Sequence, residues 1–317
     1  MRLVYYGTPE LAVPALLRLA DDGRAPLLVV TRRDRPKGRG LTVSPSPVRA
    51  AAESRGLPVV TPAKAGAPEE LERLRALDPD LLLLTAYGQI LSPALLSIPR
   101  VGALNVHFSL LPRHRGASPI QAAILAGDAE TGVTTMWMTE KLDEGPVFAS
   151  IPTPVGAEED AGALTARLAA LGARCLSETL DRIERGEMVR VEQDPSRATY
   201  SPKLRREDAR LSLRDDAFAF ARRVRAFAPR PGAYLELAEG PLGIAAASAD
   251  DEAAPDLEFG AVTDVDRERG LRIRVGGGTV WLRRVHPGGR KEMSGFDYAN
   301  GARLRPGARL PVKDGSS

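Results

Sequence analysis

The front half of the chain repeats a pattern that few folds can accommodate: short, uncharged apolar runs alternating with helical stretches. The runs are Leu3–Tyr6, Leu27–Thr31, Leu57–Val60, Leu81–Thr85 and Ala103–His107. Amphipathic or charged helical patterns over Pro9–Asp22, Val48–Arg55 and Pro68–Leu77 separate them, and another over Pro119–Ala126 follows. A strand that is apolar on both faces must be covered on both faces, which helices achieve in a mostly parallel sheet. Gly132–Met138 and Val147–Pro152 read as a closing strand pair, and Ala161–Arg185 as a long helix. The expected fold class is therefore α/β, a doubly wound open sheet.

The texture then changes. Residues 187–205 hold Pro195, Ser196, Ser201 and Pro202 with little apolar content, as a linker does. Beyond them come one helix, Asp216–Phe227, and strand-like runs over Tyr234–Leu237, Leu242–Ala247, Gly260–Val265, Leu271–Val275 and Thr279–Val285. Gly276-Gly277-Gly278 joins the last two as a hairpin turn. Several short strands with turn signals predict a small β-barrel. With 317 residues, a two-domain length, the boundaries fall at 1–189, a linker over 190–206, and 207–317. The tail from Pro311 onward is expected to fray.

Several function classes drop out. No stretch approaches the roughly 18 uncharged apolar residues of a membrane span. The N-terminus has one basic residue and too short an apolar run for a signal peptide, so a cytoplasmic setting is expected. Cys175 is the only cysteine, and none of the three histidines stands at ligand spacing with another histidine or cysteine, so no metal is expected. The first strand–helix turn, Tyr6-Gly7-Thr8-Pro9, lacks the spaced glycines that admit a pyrophosphate. Charge is nearly balanced overall, but residues 201–317 hold 21 basic against 17 acidic side chains, whereas residues 1–200 hold 23 against 24. A basic rear suits an anionic partner.

Chemistry concentrates between Asn105 and Gly145. Asn105 and His107 are two apart at a strand end, so both side chains leave the same face, where ligands of open parallel sheets collect. The loop Ser109–Gly116 follows, and Asp143 comes later in Leu142-Asp143-Glu144-Gly145. An amide, an imidazole and a carboxylate suit acyl transfer without a protein nucleophile. Asn105 and a protonated His107 can donate to a developing oxyanion. The Asp143 carboxylate is expected to favour the imidazolium and to help remove a proton from an amine. Singly, each residue also reads as a turn former or a structural polar group.

Asn105-Val106-His107-Phe108-Ser109-Leu110-Leu111-Pro112, Arg115-Gly116, Thr131-Gly132-Val133-Thr134 and Leu142-Asp143-Glu144-Gly145 together resemble the core of the folate-dependent formyltransferases. That resemblance implies 10-formyltetrahydrofolate as donor and catalytic roles for Asn105, His107 and Asp143. It also implies a folate pocket lined by Ser109, Leu110, Leu111 and Pro112 and by the segment carrying Tyr87, Gly88 and Ile90. Arg35-Pro36-Lys37-Gly38-Arg39-Gly40, followed by Ser44-Pro45-Ser46-Pro47-Val48, belongs to an excursion of about 16 residues between strand and helix where two to six are usual, and is similar to a loop of the methionyl-tRNA formyltransferases. So are Gly7-Thr8-Pro9-Glu10, Thr199-Tyr200-Ser201-Pro202-Lys203-Leu204, Phe227–Ala233 and Lys291-Glu292-Met293-Ser294.

The resemblance covers nearly the whole chain and implies an initiator methionyl-tRNA partner contacted through Arg35, Lys37, Arg39 and Lys203. It also implies an OB-like second domain and a monomer. Arg222, Arg223 and Arg225 are candidates for following the tRNA backbone, a solvated helix face being the other reading. The chain departs from the family pattern at Leu11, Trp137 and Arg230, where Phe, a smaller polar residue and Trp are usual. A formyltransferase of amino sugar nucleotides would share Asn105, His107 and Asp143 without needing Arg39. A catalytically idle RNA-binding protein would need only the barrel.

Overall fold

The computed structural model describes residues 1–37, 42–250 and 256–313. The chain divides into two compact units, and the first comprises residues 1–119, 130–154 and 165–202. Its sheet has seven strands: β1 (Leu3–Gly7), β2 (Leu28–Val30), β3 (Val59–Val60), β4 (Leu81–Thr85), β5 (Gly102–His107), β6 (Glu130–Trp137) and β7 (Val147–Pro154). The order is β7-β6-β5-β4-β1-β2-β3. Neighbours from β3 to β5 are parallel, while β6 runs antiparallel to β5 and β7 antiparallel to β6. The closing pair read from the sequence is this antiparallel edge.

Both sides of β1 are buried, as its unbroken apolar run requires. Val4 and Tyr6 point to one face with Leu28, Val30, Leu82, Leu74 and Leu95; Leu3, Tyr5, Leu81 and Leu83 fill the other. The helix predicted over Pro9–Asp22 begins late. Pro14 has no amide hydrogen to donate backward, so a tight 3-10 turn over Glu10–Ala12 precedes the α-helix Val13–Asp21. Cys175 is buried in the long helix Ala161–Glu184, a core position.

The second unit comprises residues 120–129, 155–164 and 203–317. Its antiparallel strands are β8 (Ala233–Leu237), β9 (Gly240–Asp250), β10 (Val262–Asp266), β11 (Gly270–Val275) and β12 (Gly278–Pro287), in the order β8-β9-β12-β11-β10. His286, just before Pro287 and Gly288, pairs with Gly243 inside the sheet. The helix Ala217–Phe227 is capped by Asp216, whose side chain accepts from the Ala219 amide at 2.9 Å.

The expectation of a frayed tail fails for residues 311–313. Leu310 donates to Gly260 and Lys313 to Glu236, while Ala238 donates to Pro311. The segment thus bridges the two edges, β10 and β8, and closes the sheet as a barrel does. Leu310, 1% exposed, supplies the apolar anchor that a reading by position alone passed over.

Candidate active site

Asn105 and His107 occupy alternate positions at the carboxyl end of β5, and both are buried. The β6–β7 loop brings Asp143 to them. Its Oδ1 accepts from Asn105 Nδ2 at 3.4 Å, and its Oδ2 stands 3.7 Å from His107 Nδ1. The Gly116 amide donates to Oδ2 at 2.8 Å. Removing a carboxylate from water costs several kcal/mol unless donors replace the solvent. The three residues expected to act together are therefore in one place, with Asp143 as their common partner.

The backbone here is unusual. Asp143 (φ 54°), His114 (φ 58°) and Ala86 (φ 47°) are non-glycine residues in the left-handed region. Such positions cost roughly 1–3 kcal/mol each and persist only where their surroundings hold them. Gly116 (φ 111°) needs to be glycine for a second reason: a Cβ there would collide with the Ser201 carbonyl.

His107 departs from expectation in its charge. Its Nε2–H donates to the His114 carbonyl at 3.0 Å, leaving Nδ1 towards Asp143. Burial removes solvent from the imidazolium and holds the pKa below its ordinary value; the Asp143 carboxylate pulls upward and offsets only part of this. The resting ring is neutral near pH 7. The expected pull of Asp143 towards the imidazolium is present, but burial outweighs it.

Ser109 is fully buried, and its hydroxyl donates to the Arg113 carbonyl at 2.6 Å. Thr134 on β6 donates to the Ser109 carbonyl at 2.7 Å and accepts from the Leu111 amide at 3.3 Å, which fixes the turn. Leu110, Leu111 and Pro112 remain partly exposed. Gly88 is exposed and Ile90 is 84% exposed. Tyr87 differs: its ring packs edge-on against Tyr6 in the core, 5.2 Å between centroids.

Arg35 and Lys37 lie on a two-strand hairpin with Thr42–Ser44, which sequence reading took as loop. Arg39 lies outside the described residues. Lys203 is exposed in the second unit. Of the helix cations, Arg223 donates to the Asp208 carbonyl at 2.8 Å and Arg225 to that of Glu159 at 3.0 Å, which braces them within their own unit. Trp137 is buried, its indole donating to the Val189 carbonyl at 2.8 Å.

Sequence reading took most of the stretch after Trp137's partner as linker and marked only Thr199–Leu204, by resemblance. Val191 pairs with Val147, the Thr199 hydroxyl accepts from the His114 amide at 2.8 Å, and Tyr200–Ser201 pair in parallel with Arg115–Gly116. The contacts themselves left no periodicity in the sequence. Among the described residues, no helix could cross a membrane and no side-chain group could hold a metal ion.

The fold and this site define a formyl transferase. The Formyl transferase family matches residues 1–180, and the Formyl transferase C-terminal domain family matches residues 203–303. Methionyl-tRNA formyltransferase of Citrifermentans bemidjiense is 42% identical over 317 residues, covering 100% of this chain and 98% of the relative. That of Halorhodospira halophila is 46% identical over 306 residues, covering 96% and 98%. The chain belongs to the methionyl-tRNA formyltransferase family.

Solved structures share the fold at lower identity. One is the N-formyltransferase of Helicobacter canadensis in complex with folinic acid and dTDP-3-aminofucose (TM-score 0.65, 16% identity, 89% of this chain and 98% of that one). Another is HypX of Aquifex aeolicus with tetrahydrofolic acid (TM-score 0.63, 18% identity, 94% of this chain and 47% of that one).

The depressed imidazole pKa has a measurable sign. As pH falls below about 6.5, the unfolded chain binds the histidine proton before the folded one does. The contribution of neutral His107 is complete above that pH and is lost as pH drops towards the folded pKa. The stability difference between the parent and His107→Gln, from chemical denaturation, is expected to shift against the parent in acid. A pH-independent difference between pH 5 and 7.5 would contradict the assignment.

Proposed function

We propose that this chain transfers the formyl group of 10-formyltetrahydrofolate to the α-amine of methionine on initiator tRNA, as a monomeric, metal-independent cytoplasmic enzyme. The observation that carries this reading is the convergence of Asn105, His107 and Asp143 on one buried point. It occurs in a chain related over its full length to methionyl-tRNA formyltransferases. That relationship favours neither the amino-sugar enzyme nor the idle RNA binder.

When the amine attacks the formyl carbon, an electron pair moves onto the formyl oxygen. Asn105 spends one N–H on Asp143 and keeps a second for that oxygen, and one good donor of this kind is worth about 3–4 kcal/mol. An anion developing beside His107 adds to the pull of Asp143 and raises the ring's pKa, so that a proton taken up from solvent at Nδ1 lets the ring donate to that oxygen. That difference between ground and transition state is what accelerates a reaction. Asp143 takes the amine proton through water, and the bond to folate breaks as its nitrogen recovers a proton. Leu110, Leu111 and Pro112, with Gly88 and Ile90, offer apolar side chains and backbone to the folate, while Ser109 and Tyr87 shape their turns from beneath. Arg35, Lys37, Arg39 and Lys203 supply cations for the tRNA backbone.

Labelled 10-formyltetrahydrofolate offered to methionyl-tRNA, an amino sugar nucleotide or buffer is expected to label the tRNA alone; preferential labelling of the sugar would overturn the reading. Asn105→Ala and His107→Ala are each expected to lower turnover about 100-fold or more with tRNA affinity nearly unchanged. Near-parental turnover in both removes them from the mechanism. Arg39→Ala is expected to cripple formylation of methionyl-tRNA while folate binding stays intact, and tRNA affinity should fall steeply with salt. Full formylation by that variant would make the loop a surface feature only.

A further inference from the structure

Gln193 lies in the stretch that composition marks only as a linker, yet its side chain is saturated with hydrogen bonds. Nε2 donates to the carbonyls of Asp143 at 2.9 Å and Gly145 at 2.8 Å. Oε1 accepts from Nε of Arg115 at 3.0 Å and from its Nη2 at 2.8 Å. A primary amide has two N–H groups and two lone pairs on oxygen, and all four are used here. Arg115 is itself 3% exposed, with Tyr200 Oη 3.3 Å and Glu144 Oε1 3.5 Å from its Nη1.

The two ends of this bridge matter for different reasons. At one end, gripping the carbonyls on either side of Glu144 holds the turn in which Asp143 takes its left-handed conformation. At the other, Arg115 stands between His114, whose carbonyl accepts the His107 Nε2–H, and Gly116, whose amide donates to Asp143 Oδ2. Gln193 therefore joins the backbone that presents the carboxylate to the backbone that receives it. Neither segment has regular structure long enough to hold the other in place.

We infer that Gln193 is a positioning residue for Asp143, setting the carboxylate against Asn105 and His107 without touching the reactants. This rests on the reading of Asp143 as part of the catalytic set. A misplacement of about 1 Å in such a group can cost on the order of 100-fold in rate. Methionine at 193 keeps the length and loses every hydrogen bond. Glutamate keeps the bonds to Arg115, loses both donors, and adds a negative charge near Asp143.

The test compares full-length parent, Gln193→Met, Gln193→Glu, Asp143→Ala and the Asp143→Ala/Gln193→Met double variant on methionyl-tRNA and 10-formyltetrahydrofolate. Rates are normalised to folded enzyme. Both Gln193 variants are expected to lower kcat by about 10- to 100-fold, with both KM values within about 2-fold of the parent's. In the Asp143→Ala background, Gln193→Met is expected to add no further loss, because the two residues act as one unit. Should Gln193→Met fail to fold, Gln193→Glu carries the comparison. Unchanged kcat, a rise in KM alone, or additive losses in the double variant would overturn the proposal. Parental turnover in Asp143→Ala would instead remove Asp143 from the mechanism, and the proposal with it, and the single-variant arms tell these outcomes apart.

Discussion

A carboxylate placed away from solvent is the constraint on which this site depends. Asp143 is 8% exposed, so its oxygens need donors from the protein. They find them in the Asn105 amide and the Gly116 backbone N–H, and they stand beside His107. Asn105 and His107 come from the end of β5, and Gly116 from the short strand Arg115–Gly116 paired with Tyr200–Ser201. The left-handed backbone at His114 and Asp143 is tolerated because each is held by bonds from elsewhere in the first unit.

The same constraint explains why the imidazole is neutral at rest. Burial opposes a charged ring more than a carboxylate 3.7 Å away supports it. In the mechanism proposed above, that balance is what a developing negative oxygen would tip towards the charged ring.

Much of this was legible in the sequence, for physical reasons that can be named. Leu3–Tyr6 and Leu81–Thr85 read as buried parallel strands because no charge interrupts them. The two-residue spacing of Asn105 and His107 placed them on one face because strand geometry has period two. Asp143 was within reach of the same reasoning only as a polar residue in a loop between closing strands. What stayed hidden is long-range and polar. Gln193, Thr199 and Ser201 bond to residues roughly 50 to 87 positions away, through single side chains and backbone groups that leave no periodicity. The tail from Pro311 was judged by position, whereas the order of residues 311–313 is decided by the barrel edges they bond to. The pull of Asp143 on His107 was legible as a neighbouring carboxylate, whereas the opposing effect of burial was not, because a sequence does not show depth.

The account turns on the opposed effects of burial and Asp143 on one ring, and that can be measured directly. Histidine-labelled enzyme is titrated by NMR as parent and as Asp143→Asn. The His107 midpoint is expected below about 6.5 in the parent and lower still in the variant, where burial remains and the carboxylate charge is gone. A parent midpoint at or above the free imidazole value, or one unmoved by Asp143→Asn, would contradict it.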